Sequence, residues 1–253
     1  MFVVTADLLV FVLLVAVGGY VQTVAGFAMG MIMVAGSSAL ALYSLPVTTA
    51  VISLLSFTNI ALSLPGHVHR IDRRGALLMC AGQLPMIGFG VLLLEWLDAS
   101  AQRVLALLLG AFIILGCASM MMKPQPRETR SGAFSYFAAG IGGGVLGGMF
   151  SAAAPIMGWF VYRQPMAVAE LRATLLACFA VSTLVRTVYV GFGGGLTADV
   201  WTLAGLSLPV VLLTAWLGRT FPPPLSEIAL RRSAFGLLLA MGAWIFGSAL
   251  LEA

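Results

Sequence analysis

Apolar residues fill long stretches of this chain, and polar residues gather in a few short ones. From Leu8 to Tyr43 the sequence is almost uninterrupted apolar, about 36 residues. As one helix it would measure roughly 54 Å, too long for a single crossing of a hydrocarbon core about 30 Å thick. The run should break between Gly18 and Gly26, where the polar Gln22 and Thr23 also lie. Beyond the Tyr43–Pro46 punctuation the pattern predicts spans over 46–64, 76–94 and 104–122. A basic loop (65–75), a short polar connection (95–103) and a second basic loop (123–130) separate them. A second over-long apolar run, Phe134 to Tyr162, opens the rest of the chain. Spans over 173–190, 200–217 and 233–251 follow, divided by a turn-rich loop (191–199) and a basic loop (218–232).

The two halves resemble each other. Tyr43 and Pro46 match Tyr162 and Pro165; Gly82 and Pro85 match Gly205 and Pro209; Gly110 and Gly116 match Gly236 and Gly242, each roughly 120 residues apart. The expected organisation is one integral membrane domain of two repeats, 1–123 and 131–253. The fold class is all-α, a polytopic membrane protein of two inverted repeats. Each repeat is a broken or re-entrant Gly-rich helical segment plus three transmembrane helices. Loop charge supports this over eight simple crossings. If each over-long run returns to the side it came from, eleven cations face one side and only Arg103 the other, with Arg186 inside a span. With eight simple crossings the split is six against six, which the positive-inside rule disfavours. Both termini are then periplasmic, in keeping with the lack of any Lys or Arg before Arg70. Parity leaves open whether each run is a re-entrant hairpin or two short crossings.

Composition sets the class: 61% of residues are hydrophobic, 9% charged, and the mean hydropathy is +1.07. Such a chain belongs in a lipid bilayer. The formal net charge of +4 does not point to nucleic acid, because the cations are scattered between apolar spans without interleaved aromatics. Cys80, Cys117 and Cys178 each fall within a span and read as small packing residues, not as a disulfide or metal set. The N-terminus lacks the positive region of a signal peptide.

Within the second over-long run stand Gly142, Gly143, Gly144, Gly147 and Gly148. Each glycine costs roughly 1 kcal/mol against Ala inside a helix. Two readings stay open. The glycines form a tight helix-packing seam, or they mark a broken helix whose exposed backbone lines a site. The first run repeats the choice around Gly26 and Gly30.

The stretches Gln22–Gly30 and Gly140–Gly148, each opening one half of the chain, resemble those of the sulfite exporter TauE/SafE family, also called TSUP. The likeness covers nearly the whole chain. It implies a secondary transporter of a small sulfur-containing or organic anion, such as sulfite or a sulfonate, in a bacterial inner membrane.

The residues agree with an anionic substrate. Broken helices expose N–H groups at partially positive N-termini, and glycine lets a ligand approach the backbone closely. The candidate substrate-binding residues are Gln22, Thr23, Gly26, Gly30, Asn59, Gln83, Gly143, Gly144, Gly147, Ser151 and Arg186. Arg186, deep in its span, is either functional or snorkels to the outer interface. His67 and His69 read as solvated loop residues. Glu170 is expected to pair with Arg172 or Arg163. No catalytic set, metal site or cofactor motif is present, so the chain reads as a transporter and not an enzyme. A homo-oligomer stays open. An anion leaving a cell that is negative inside moves downhill by about 2.3 kcal/mol per charge per 100 mV. Uptake would need a coupling ion, and the spans offer no clear proton carrier, so export is favoured. An anion channel of the same architecture, or uptake coupled to protons or sodium, remains the alternative.

Overall fold

The computed structural model describes residues 6–25, 29–121, 125–221 and 227–251. They form the α-helices α1 (Ala6–Ala25), α2 (Met29–Ala39), α3 (Leu45–Ser63), α4 (Arg73–Ser100), α5 (Gln102–Met121), α6 (Ala133–Phe150), α7 (Ala154–Tyr162), α8 (Val168–Phe192), α9 (Ala198–Thr220) and α10 (Glu227–Leu251), with a 3-10 turn at Val68–Arg70. Among the described residues seven helices are long and apolar enough to cross a membrane. The protein is therefore an all-helical, multi-pass membrane protein.

Both over-long runs fold back on themselves. In the first, Gly18 lies beside Met29 and Leu14 beside Gly36, so α2 runs antiparallel to α1. Phe11 and Tyr43 then meet edge to face at 5.2 Å. In the second, Gly143 lies beside Met157 and Tyr136 meets Phe160 edge to face at 4.9 Å. The Ser131 N–H donates to Gln164 Oε1 at 3.0 Å, and the Arg127 N–H donates to the Arg163 carbonyl at 2.8 Å. Each run thus returns to the end it came from. Its second arm, 11 residues in α2 and 9 in α7, is only about 16 and 14 Å long, too short to cross the core.

The glycines do not open α6. Gly140, Gly144 and Gly148 form a stripe against α4, where an added Cβ would lie 2.1 Å from the Met79 carbonyl, 2.6 Å from that of Gln83 and 2.3 Å from that of Ile87. Gly82 and Gly90 of α4 answer with 2.2 Å to the Phe137 carbonyl and 2.4 Å to that of Val145. This is a small-residue seam of the kind that lets membrane helices approach backbone to backbone. The chain turns only at Ser151, in the left-handed region at φ 53°, and α7 restarts with Pro155 in its first turn.

Two further expectations are corrected. The 95–103 stretch is not a connection: α4 runs through Glu95 to Ser100, with Pro85 inside it. Packing on both sides holds the helix across the missing N–H. Glu170 pairs with Arg130 at 3.2 Å, while Arg163 stacks over Trp159 at 4.6 Å.

Basic residues gather at one end, with Asp72 and Glu170 among them. Arg70, Arg73, Arg130, Arg172 and Arg219 lie where α4 and α8 begin and α3 and α9 finish. At the opposite end, where α1, α3 and α9 begin and α4 finishes, are Asp7, Asp98 and Asp199. Arg103 sits there too, donating to the Ala249 carbonyl at 2.9 Å. Burial, helped by Asp7 and then Asp199, pushes the Tyr43 phenol up from its ordinary value.

Candidate functional site

The two folded-back runs meet in the interior. Gly30 of α2 faces the Ser151 turn, and a Cβ on it would lie 2.5 Å from the Ser151 carbonyl. Beside this contact is a partly enclosed cavity lined by Gln22, Gly30, Ser56, Ser151, Ser182 and Thr183, with Met31, Ile60 and Phe179 as its apolar part. Its volume is about 40 Å³, enough for a small hydrated group. Among the described residues the lining carries hydroxyls and one amide but no charged side chain. Neutral donors in a low-dielectric site are strong partners for an anion's oxygens. The same site holds little attraction for a cation, which would need carboxylates or several converging carbonyls.

Of the candidates read from sequence, Gln22, Gly30 and Ser151 line this cavity. Thr23 lies one residue along α1; its hydroxyl donates to the Gly19 carbonyl at 2.9 Å and receives Asn59 Nδ2 at 3.2 Å. Asn59 is fully buried, and its Oδ1 has no partner. Gln83 is also fully buried, donating to the Cys178 carbonyl at 3.0 Å. Gly143 packs on Met157, Gly144 on the α4 backbone, and Gly147 on Ser182. Gly26 lies outside the described residues.

Arg186 is 1% exposed, so it does not snorkel. Its Nε donates to the Gly148 carbonyl at 2.8 Å, Nη1 to the Thr49 carbonyl at 2.9 Å and Ser53 Oγ at 3.0 Å, and Nη2 to Thr49 Oγ1 at 2.7 Å. The guanidinium does not line the cavity, but one hydroxyl links it there. Ser53 Oγ lies 2.9 Å from Ser151 Oγ. Ser53 accepts from Arg186, and its single proton has two acceptors, the Thr49 carbonyl at 2.9 Å and Ser151 Oγ; when it goes to Ser151, the Ser151 proton is left for a ligand. Arg186 also bolts α8 to α3 and to the end of α6, closing the cavity on that side.

Ser56, Ser182 and Thr183 were not singled out from sequence. Ser182 and Thr183 stand four and three residues before Arg186, on the same helical face. Ser56 is three residues after Ser53. Those spacings, with Arg186 as anchor, were the available signal.

The family model described as "Sulfite exporter TauE/SafE" matches residues 10–245. A protein of Cupriavidus necator, named as a probable sulfite/organosulfonate exporter TauE, is 43% identical over 230 residues, covering 91% of this chain and 90% of its own length. No solved structure matches. Long apolar helices, two folded-back segments and a polar interior cavity accompany a match over almost the whole sequence: this chain belongs to the sulfite exporter TauE/SafE family of membrane transporters.

Proposed function

We propose that this protein is a secondary transporter that exports a small sulfur oxyanion, sulfite or an organosulfonate, across the bacterial inner membrane. The observation that carries this is the neutral, hydroxyl-lined cavity where the two folded-back runs meet. The name of the Cupriavidus necator protein supplies the substrate class. Hydroxyl and amide donors compensate an oxyanion for the water it leaves, which an apolar pore could not do. The small volume favours a compact anion.

The fold supports two inverted repeats. α1 packs on α9 as α6 packs on α4; α2 contacts α10 as α7 contacts α5; and α3 with α8, like α5 with α10, forms a pair that such an exchange maps onto itself. A site between repeats at the meeting of broken helices is a common transporter arrangement. Alternating exposure then requires α3 and α8 to part on the Arg186 side while they close on the other.

Direction follows from charge. The basic end is cytoplasmic by the positive-inside rule, so cytoplasmic anions are drawn in and the membrane potential drives them out. A cysteine at Ser100, in a variant otherwise free of cysteine, should react with an impermeant maleimide added outside whole cells, and one at Thr129 should not. Reaction at Thr129 alone, or at both positions, overturns the topology.

The substrate test uses purified protein in proteoliposomes. Wild-type vesicles should move radiolabelled sulfite with saturation and counterflow, and Ser182→Leu should abolish it while eluting as a folded, monodisperse species. Flux that rises linearly without counterflow would make the protein a channel. Undiminished flux in Ser182→Leu would put the pathway elsewhere.

A further inference from the structure

A second cavity, about 460 Å³, lies on the basic side of the first. Arg70 of the 3-10 turn, Arg172 of α8 and Arg219 of α9 line it, together with His67, Ser63 and Thr23. Among the described lining residues none is acidic. Close by, Arg130 holds Asp72 at 3.6 Å and Glu170 at 3.2 Å. Three guanidinium groups from three separate elements therefore line one recess. The start of α8 forms part of the wall at Val168 and Ala169, and its N-cap Ala167 supplies no side-chain acceptor. The partial positive charge of that 25-residue helix adds to the guanidinium field. A recess of one sign with low-dielectric walls concentrates counter-ions.

The two cavities are consecutive along the same helices. α1 gives Gln22 to the first and Thr23 to the second; α8 gives Phe179 to the first and Leu176 to the second. The step on α8 is three residues, about 4.5 Å. Arginine forks suit oxyanions, giving paired hydrogen bonds as well as charge.

We infer that this recess is a second, separate binding site for small oxyanions, which loads the interior cavity from the basic side. The loading role rests on the transport function proposed above; the binding site itself does not. Two occupied sites would let an arriving anion repel the one ahead of it, speeding its departure from an otherwise tight cavity.

Two measurements with radiolabelled sulfite test this. Equilibrium binding to detergent-purified wild type should give two sites per chain. Arg70→Gln/Arg172→Gln should keep one, and Arg70→Lys/Arg172→Lys should restore two. Ser182→Leu should also keep one, the recess site. In proteoliposomes, the Gln pair should raise KM about ten-fold for sulfite presented at the basic end, leave the maximal rate within about two-fold, and leave KM at the other end unchanged. Added inert salt should weaken wild-type KM at the basic end and affect the Gln pair little. Should the Gln pair prove aggregated, Arg70→Gln alone, on an exposed turn, carries the same comparison at smaller amplitude. A single class of site in wild type, or KM indifferent to both arginines, overturns the inference even if sulfite is transported. Arginine-dependent binding in a wild type that moves no sulfite upholds the site and overturns the transport function instead.

Discussion

Gly140→Val is expected to remove folded protein, not only transport. A Cβ at Gly140 would lie 2.1 Å from the Met79 carbonyl oxygen and 3.0 Å from Met79 Cα. Both are backbone atoms of α4, so no side chain can swing aside. α6 must move away from α4 and break the reciprocal contacts at Gly82, Gly144 and Gly148 along the same seam. Overpacking of a tight interior costs about 1–3 kcal/mol and sometimes more, and loss of a whole seam lies at the upper end. The measurement is the yield of monodisperse protein and its unfolding temperature in detergent; both should fall sharply. Gly144→Val should behave alike, because its Cβ would lie 2.6 Å from the Gln83 carbonyl. Gly205→Ala is the control: nothing lies within 4 Å of the added methyl, and the gain in helix propensity makes it neutral or slightly stabilising. A Gly140→Val protein with wild-type yield and unfolding temperature would mean that α4 and α6 do not pack this closely in the membrane.

That contrast shows what hydropathy and spacing could and could not reveal. The number of spans, the return of both over-long runs and the segregation of basic residues follow from segment length and charge, which act along the chain and are visible there. Gly82 and Gly205 hold matching positions in the two halves, yet a Cβ added to the first would lie 2.2 Å from the Phe137 carbonyl and one added to the second would meet nothing within 4 Å. Whether a glycine serves a seam, a turn or a cavity depends on what lies across from it, and no periodicity within one helix reports that. Ser151 was legible as a polar residue beside the break, but not its left-handed conformation. Arg70, Arg172 and Arg219 looked like ordinary loop-flanking cations. Only the meeting of the 3-10 turn with the ends of α8 and α9 brings them to one recess. Glu170 teaches the same: Arg163 and Arg172 are close in sequence, whereas the ion pair at 3.2 Å is with Arg130, 40 residues away.

Arg186→Gln should lose sulfite affinity and stability together, by separable routes. The guanidinium donates to two carbonyls and two hydroxyls, on Gly148, Thr49 and Ser53. Hydrogen bonds from a charged donor contribute about 1.5–3 kcal/mol each, and Gln cannot span all three partners, so the unfolding temperature drops. The affinity loss comes from charge. Ser53 connects Nη1 to Ser151 Oγ through contacts of 3.0 and 2.9 Å, so the positive charge polarises the hydroxyl that faces the cavity. We expect at least a ten-fold weaker dissociation constant, about 1.4 kcal/mol, after correction for the folded fraction. Arg186→Lys separates the routes, because it keeps the charge and loses the fork: stability should fall as for Gln while affinity stays nearer to wild type. Ser53→Ala separates them the other way, cutting the link with the charge in place, and should cost a few-fold in affinity with little loss of fold. Sulfite titration and thermal unfolding of the three variants read both effects. If Arg186→Gln binds sulfite as tightly as wild type and only unfolds earlier, Arg186 is a clamp between α3, α6 and α8. The cavity's own hydroxyls and amide would then hold the anion without it.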